Sequence, residues 1–120
     1  MQFSDQVLTL GKVSYQLEDN CRLILSQDLF LKDAVVFTDC PRQVTLASEK
    51  GTHGVTVRFP DVPYIGFWQV PNKNAPYLCI EPWSMLPGQE GIVEDIETMP
   101  DIITISPNDE VPNTWSIEVF

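Results

Sequence analysis

The sequence contains little of what would build a metal centre or a disulfide framework. It has three cysteines, Cys21, Cys40 and Cys79, at spacings of 19 and 39 residues, and a single histidine, His53. No Cys-x-x-Cys pair is present, so this set does not match the ligand spacing of a zinc site. An odd number of widely separated cysteines favours reduced thiols in the core. The pattern therefore predicts no bound metal and no disulfide.

Basic residues are also scarce. Seven Lys and Arg stand against 17 Asp and Glu, which gives a formal net charge of -10 in 120 residues. Nucleic-acid binding depends on Lys and Arg that displace counterions from phosphates, and anionic membranes attract the same side chains. No apolar run approaches the roughly 20 residues of a membrane span, and residues 1–10 do not have the pattern of a signal peptide. We therefore expect a cytoplasmic protein that binds neither nucleic acid nor membrane.

Helical periodicity is hard to find, whereas short apolar and β-branched runs are separated by many of the ten prolines and six glycines. The clearest alternation, in residues 54–59, predicts a strand whose two valines and Phe59 face the core. Thr56 and Arg58 are then expected to face outward. Regular short strands with Pro and Gly between them predict an all-β fold, a sandwich or a barrel. Further strands are predicted at residues 23–25, 34–37, 44–46, 65–70, 77–80, 102–105 and 115–119, with a long loop at 84–101 and weak strand character up to residue 20.

Residues 75–83, Ala-Pro-Tyr-Leu-Cys-Ile-Glu-Pro-Trp, form the most informative segment. An apolar strand brings Glu81 to its end, Pro82 is expected to stop the strand, and Trp83 follows. The apolar C–H faces of a pyranose pack on an indole, and its hydroxyls donate hydrogen bonds to carboxylates. The segment therefore suggests a sugar site. The alternative, a solvated glutamate on an edge strand with Trp83 covering the core, stays open.

Two further blocks accompany this segment: Leu-Phe-Leu-Lys-Asp-Ala-Val-Val-Phe at 29–37, and Gly-Val-Thr-Val-Arg-Phe-Pro at 54–60 with Tyr-Ile-Gly-Phe-Trp at 64–68. In their order and spacing, the three blocks resemble the C-terminal portion of the aldose 1-epimerase (galactose mutarotase) family, most closely its LacX-like branch. The resemblance implies a galactose-mutarotase-like antiparallel β-sandwich. Residues 1–120 would form a single segment that corresponds to the C-terminal part of such a domain.

The resemblance also implies a reaction, the interconversion of the α and β anomers of a hexose without a metal or an organic cofactor. In that family a glutamate removes the proton of the C1 hydroxyl while a histidine protonates the ring oxygen. Glu81 matches the position of this general base. Asp33, which precedes a predicted strand and on its own reads as a turn former, matches a sugar-binding aspartate. Trp83 is expected to contact the sugar.

The sequence departs from the family at the general acid. The family's acid histidine lies in the part that precedes the matched segment, and His53, in a predicted turn at residues 50–54, does not match it. Two functions therefore stay open for a chain whose partner is a small-molecule sugar. One is an epimerase-like isomerase with Glu81 as base, and the other is a non-catalytic carbohydrate-binding or interaction module or fragment. A sheet without its neighbouring strands exposes edges and apolar surface, which favours a homodimer.

Overall fold

The computed structural model describes residues 1–73 and 75–120. This part of the chain contains eight strands and one short 3₁₀ helix, Gln27–Phe30, so the all-β prediction is confirmed. The strands are β1 (Gln2–Phe3), β2 (Thr9–Gly11), β3 (Val35–Phe37), β4 (Gln43–Ala47), β5 (Gly54–Arg58), β6 (Tyr64–Trp68), β7 (Cys79–Trp83) and β8 (Ser116–Val119).

The strands form three antiparallel sheets. A two-stranded sheet pairs β1 with β2, and the two larger sheets have the orders β3-β6-β7 and β4-β5-β8. The core lies between the two larger sheets, because its buried residues and the half-buried residues packed on them come from both. The buried members of this cluster are Val57, Phe59, Val62 and Ile65, while Phe30 and Val36 are buried outside it. This arrangement agrees with the predicted antiparallel sandwich-like fold.

The central strand β5 explains one wrong expectation. Val57 and Phe59 are buried as predicted, but Thr56 is 6% exposed and not turned into solvent. Its neighbours on β4 and β8 cover it from both sides, and its hydroxyl oxygen lies 3.0 Å from the hydroxyl of Thr45. A threonine in a central strand can be buried on the second face when a cross-strand hydroxyl satisfies its polar atom.

Most predicted strands between residues 34 and 70 are present, whereas others are shifted or absent. The strand predicted at 77–80 runs instead from Cys79 to Trp83 and continues through Pro82, which does not stop it. Strand β7 is an edge strand of its sheet, where a proline is tolerated. Residues 23–25 and 102–105 form no strand, and the short strands β1 and β2 appear where strand character is weak.

The C-terminal strand β8 is paired but poorly covered. It lies antiparallel to β5, as the predicted strand at 115–119 requires, yet Ile117 and Val119 are 56% and 74% exposed. Trp115 and Phe120 are also exposed. The homodimer that would cover such residues stays a prediction.

The structure also tests the expectations about the cysteines and about membrane-spanning helices. All three cysteines are free thiols, but Cys21 is exposed, so its expected place in the core is wrong; it lies in a tight turn closed by a bridge between Glu18 and Arg22. Burial raises the pKa of the half-buried Cys40 thiol.

Within residues 1–73 and 75–120, no helix has the length and apolar character needed to cross a membrane. The cytoplasmic location stays a prediction.

Candidate functional site

The sheet β3-β6-β7 separates the core from a second, outward face. Side chains alternate between the two faces of a strand, and cross-strand partners share a face. The register aligns Val36, Gly66 and Glu81 in one row, while the next row along β6 contains Ile65, which is a core residue. Glu81 therefore lies on the face opposite the cluster of Val57, Phe59, Val62 and Ile65, and Val36 on the same face is buried.

An open cavity of about 270 Å³ lies on this outward face. Seven residues line it, and they include all three residues that the sequence nominated: Asp33, Glu81 and Trp83. The volume is close to the lower end of the range for small-molecule sites, roughly 300 Å³. The structure thus brings together residues that are 48 positions apart in the chain; their roles stay predictions.

Glu81 and Trp83 are coupled directly. They are two positions apart on β7, so they share the outward face, and the indole Nε1 of Trp83 donates a hydrogen bond of 3.2 Å to Oε2 of Glu81. The other oxygen, Oε1, accepts no hydrogen bond from any residue that the structure describes. The contact therefore fixes one side of the carboxylate and leaves the second oxygen available to a ligand.

Gly66 provides the space for this arrangement. It lies opposite Glu81 on β6, and a Cβ atom at position 66 would lie 3.3 to 3.4 Å from three atoms of the Trp83 indole. The indole thus packs on the backbone of β6. A larger residue would displace the ring, so the glycine helps to hold Trp83 over the strand.

Asp33 lies where the chain enters β3. Its Oδ1 accepts a hydrogen bond of 2.7 Å from the backbone N–H of Ala34, and its φ of +154° is rare for an L-residue. The side chain thus bonds the backbone of the next residue and also lies in the cavity wall. Oδ2 of Asp33 accepts no hydrogen bond within the described residues and is available for a hydroxyl.

The sequence did not nominate four lining residues, Phe3, Val7, Ala34 and Trp68. The ring of Phe3 lies 6.4 Å from that of Trp83 between centroids, at an interplanar angle of 58°. Trp68 was part of a quoted motif. The pairing of β6 with β7 would have identified Trp68 as a lining residue, because Trp68 lies two positions after Gly66 on the same face.

The hairpin β1-β2 brings Phe3 and Val7 to the cavity. It is fastened on two sides, since the backbone nitrogen of Met1 donates to the Val36 carbonyl at 2.7 Å and the N–H of Thr9 donates to the Gly88 carbonyl at 2.8 Å. These bonds join residues that are far apart in sequence. Local patterns in the first residues therefore cannot predict that the hairpin lines the cavity.

The charges of the cavity wall are of one sign. Asp33 and Glu81 line the cavity, and the seven lining residues include no Lys, Arg or His. His53 is exposed between β4 and β5 and does not line the cavity. Among the described residues, no group of three or more His, Cys, Asp or Glu is placed to hold a metal ion.

Comparison with known proteins finds two that are similar in sequence to this chain. The chain is similar to two curated proteins of Lactococcus lactis subsp. lactis, the plasmid and the chromosomal forms of Protein LacX. The identity to each is 33% over 107 residues, which cover 87% of this chain and 35% of the relative. The chain is therefore related to LacX over most of its length. The LacX-like part of the sequence resemblance is thereby confirmed.

The chain spans about a third of the length of the curated relatives it matches. No protein-family model matches the sequence, and no solved structure matches the fold. The resemblance to the wider aldose 1-epimerase family stays a prediction from the sequence motifs.

Proposed function

We propose that this LacX-like chain provides the general base and the sugar contacts of an aldose 1-epimerase-like site. Such a site interconverts the α and β anomers of a hexose. One observation carries the proposal. Glu81, Trp83 and Asp33, which the motifs nominate as base and sugar contacts, line one cavity on the outward face of a sheet. Residues 1–120 would correspond to the C-terminal part of the longer domain.

In this proposal Glu81 acts as the general base. Its free Oε1 takes the proton of the C1 hydroxyl, the electron pair of that O–H bond forms the C1 carbonyl, and the bond between C1 and the ring oxygen breaks. The ring oxygen takes a proton from a general acid. Rotation about the C1–C2 bond and the reverse steps give the other anomer and return both protons. The hydrogen bond from Trp83 holds the carboxylate on the strand during these transfers.

The sugar would be held by rings on its apolar sides and by carboxylates at its hydroxyls. Trp83, Trp68 and Phe3 provide aromatic surface around the cavity. Asp33 provides a further acceptor in the cavity wall. This is the combination that a pyranose ring requires, because its C–H faces are apolar while its edge carries hydroxyls.

The general acid would come from outside this set of lining residues. They include no histidine, and the LacX relatives are about three times as long as the matched region. A histidine or another proton donor in the remainder of a longer protein, or in a second subunit, would complete the pair. Each positioned proton-transfer group raises the reaction rate by roughly 10²–10⁴-fold, so a site with the general base and no general acid would retain part of the rate.

A second candidate function has specific support in the same cavity wall. Three aromatic residues and two carboxylates without a partner acid suit a carbohydrate-binding module that performs no reaction. The two candidates differ in turnover and share sugar binding.

The test measures the rate of anomer exchange of freshly dissolved α-glucose and α-galactose by NMR, with and without the protein. We expect acceleration by the wild-type chain and loss of that acceleration, by about 10²-fold or to the buffer rate, in Glu81→Gln, because the amide cannot take the proton. Glu97→Gln, an exposed glutamate away from the cavity, is the matched control. A Glu81→Gln variant with undiminished acceleration would exclude the base role. Sugar binding without acceleration would select the binding module.

A further inference from the structure

Strand β8 leaves one edge of the sheet β4-β5-β8 open. Among the described residues it pairs with β5 alone, and all of its residues are exposed. Proteins usually protect such an edge with lysines, prolines or bulges, because an unpaired strand is a template for another strand. The edge strand β7 contains Pro82, whereas residues 115–120, Trp-Ser-Ile-Glu-Val-Phe, contain neither lysine nor proline. The edge of β8 is therefore available for pairing.

The backbone of β8 presents hydrogen-bonding groups at this edge. The backbones of Gly54 and Phe120 exchange two hydrogen bonds, and such pairs alternate along an antiparallel ladder. The N–H and C=O groups of Glu118 therefore face β5. Those of Ile117 and Val119 face the open edge, where a further antiparallel strand would find a donor and an acceptor at every second residue.

The side chains along the edge are apolar on one face. Cross-strand partners share a face, so Ile117 lies on the same face as its partner on β5, the buried core residue Val57. Val119 and Trp115, two positions to either side of Ile117, continue this face. Ile117, Val119 and Trp115 are 56%, 74% and 55% exposed. The core face of the sheet thus extends beyond the core as a row of uncovered apolar side chains.

We propose that two copies of this chain associate through the open edge of β8, antiparallel and related by a two-fold axis at Ile117. Three strands from each copy then form one continuous sheet. Ile117 lies opposite Ile117 of the partner subunit, and Trp115 lies opposite the partner's Val119. These residues alternate with those that face β5, so each opposite pair can exchange two hydrogen bonds, about six across the interface.

The side chains select this position of the axis. With the axis at Ile117, each apolar side chain of the row lies opposite another apolar side chain. An axis at Ser116 would instead place Asn113 opposite Val119. An axis at Glu118 would place two carboxylates directly opposite each other, which is unfavourable. The strand is therefore complementary to itself in the register centred on Ile117.

The charges permit this contact and limit its strength. Oε2 of Glu118 lies 2.7 Å from Nη1 of Arg58 in the same chain, and in the proposed register Glu118 faces the hydroxyl of the partner's Ser116. The net charge of -10 on each copy opposes association at long range. One strand edge is also expected to bury less than the roughly 1,200 Å² of total surface that is typical of stable interfaces. We therefore expect a weak dimer that salt strengthens.

Sedimentation velocity of the 120-residue chain measures the association, at about 1 to 500 µM protein in about 0.15 M NaCl. We expect a monomer of 13.6 kDa at the lowest concentration and a dimer at the highest, with a Kd of about 10 µM. In about 0.01 M NaCl this Kd should rise about threefold or more, because the acidic copies repel each other over a longer range.

A substitution at the axis tests the site of contact. Ile117→Lys places two like charges opposite each other and should weaken the dimer about tenfold or more. Ile103→Lys is the matched control, because Ile103 is 52% exposed and lies outside the strands. The control should leave the Kd within about twofold.

A cross-link tests the register. Opposite residues of a hydrogen-bonded pair have Cα atoms about 5.5 Å apart, which lies within the range of about 4.4–6.8 Å that a disulfide spans. In a Cys21→Ser background, which removes the exposed native thiol, Ile117→Cys should form a covalent dimer under mild oxidation. Ile103→Cys in the same background should remain monomeric on a non-reducing gel.

Three results would overturn the proposal. A chain that stays monomeric up to about 500 µM would exclude a second copy as the occupant of the edge. A dimer that survives Ile117→Lys and gives no Ile117→Cys cross-link would place the contact elsewhere. Oligomers that keep growing with concentration would indicate head-to-tail pairing of β8 with the edge of β4, which lacks the closing two-fold axis. None of these measurements involves a sugar, so their outcome is independent of the proposed function.

Discussion

The contact between Gly66 and Trp83 shows how one missing side chain controls the candidate site. The indole occupies the volume that a Cβ at position 66 would approach, and the same indole donates to Glu81. A methyl group at 66 must push either the ring or the strand by a few tenths of an ångström. Because β6 is a central strand with partners on both sides, the ring is the part that can move.

We predict that Gly66→Ala displaces Trp83, weakens sugar binding and costs about 1 kcal/mol of folding free energy. Tryptophan fluorescence, sugar titration and urea unfolding would measure the three effects. Gly51→Ala is the control, because a Cβ at 51 would meet a single atom at 4.0 Å. Unchanged fluorescence and sugar affinity in Gly66→Ala would show that Gly66 does not position the ring.

Tyr64 provides a second prediction at the residue scale. Burial, together with the hydrogen bond and the negative charge of Asp101, raises the pKa of Tyr64 to about 12 from its ordinary value near 10. Between these values the folded chain retains a proton that the unfolded chain has lost. Folding stability therefore decreases as the pH rises through this window.

We expect NMR titration to show a tyrosine that ionises near pH 12, and urea unfolding to show a loss of stability between about pH 10 and 12. Tyr64→Phe should remove the titration. Asp101→Asn should lower the pKa of Tyr64 yet keep it above 10, since burial is the largest cause of the shift. If every tyrosine ionised near pH 10, the raised pKa of Tyr64 would be contradicted.

At the scale of elements, the attachment of β8 depends on Phe120, the residue that follows it. The backbones of Gly54 and Phe120 exchange two hydrogen bonds, of 2.9 and 3.1 Å, and the Phe120 ring fills the space where a side chain of residue 54 would be. The Leu46 carbonyl oxygen would lie 2.9 Å from a Cβ at position 54. This end of the sheet therefore accepts a glycine and excludes larger residues.

We predict that Gly54→Ala detaches the end of β8 and costs about 1–3 kcal/mol, because the new methyl overlaps an aromatic ring. Urea unfolding gives the free energy, and hydrogen exchange of the Phe120 N–H reports the local opening. Combined with Phe120→Ala, the Gly54→Ala substitution should cost less than it does alone, since the overlapping ring is absent. Additive costs in the double variant would contradict the steric cause.

Local sequence patterns predicted the strands whose two faces differ, and they failed where long-range pairing decides. The alternation in residues 54–59 predicted β5 correctly. The burial of Thr56 depends on pairing with β4 and β8, and a local pattern contains no information about these distant strands. The pair Glu81 and Trp83 could be found from one segment, and Asp33 required the family resemblance. Phe3 could not be found, because its place in the wall depends on hydrogen bonds from the hairpin to Val36 and Gly88.

At the scale of the whole molecule, charge repulsion acts against surface ion pairs. The net charge is -10, while the five ion pairs of the described residues involve three cations and partly or fully exposed side chains. Such pairs contribute about 0–1 kcal/mol each. At 0.01 M salt the Debye length is roughly 30 Å, which exceeds the radius of gyration of 16.1 Å, so the acidic residues repel one another across the molecule.

We therefore predict that the thermal midpoint rises by a few degrees between about 0.01 and 0.15 M NaCl, where the Debye length falls to roughly 8 Å. Differential scanning calorimetry would measure it. The triple variant Glu97→Gln/Asp109→Asn/Glu110→Gln removes three exposed negative charges and should reduce the salt dependence. A midpoint that falls with added salt would show that the ion pairs outweigh the repulsion.

The alternation of the sheet β3-β6-β7 has an evolutionary consequence. Residues that line the cavity and residues that fill the core occupy opposite faces of the same strands, so substitutions on the outward face can alter ligand preference while the packing beneath is conserved. Insertions and deletions have no such freedom. A shift of one residue within β6 or β7 would turn core side chains outward and site side chains inward at the same time. Lineages of this chain should therefore diversify by replacement at outward positions and keep the lengths of these two strands fixed.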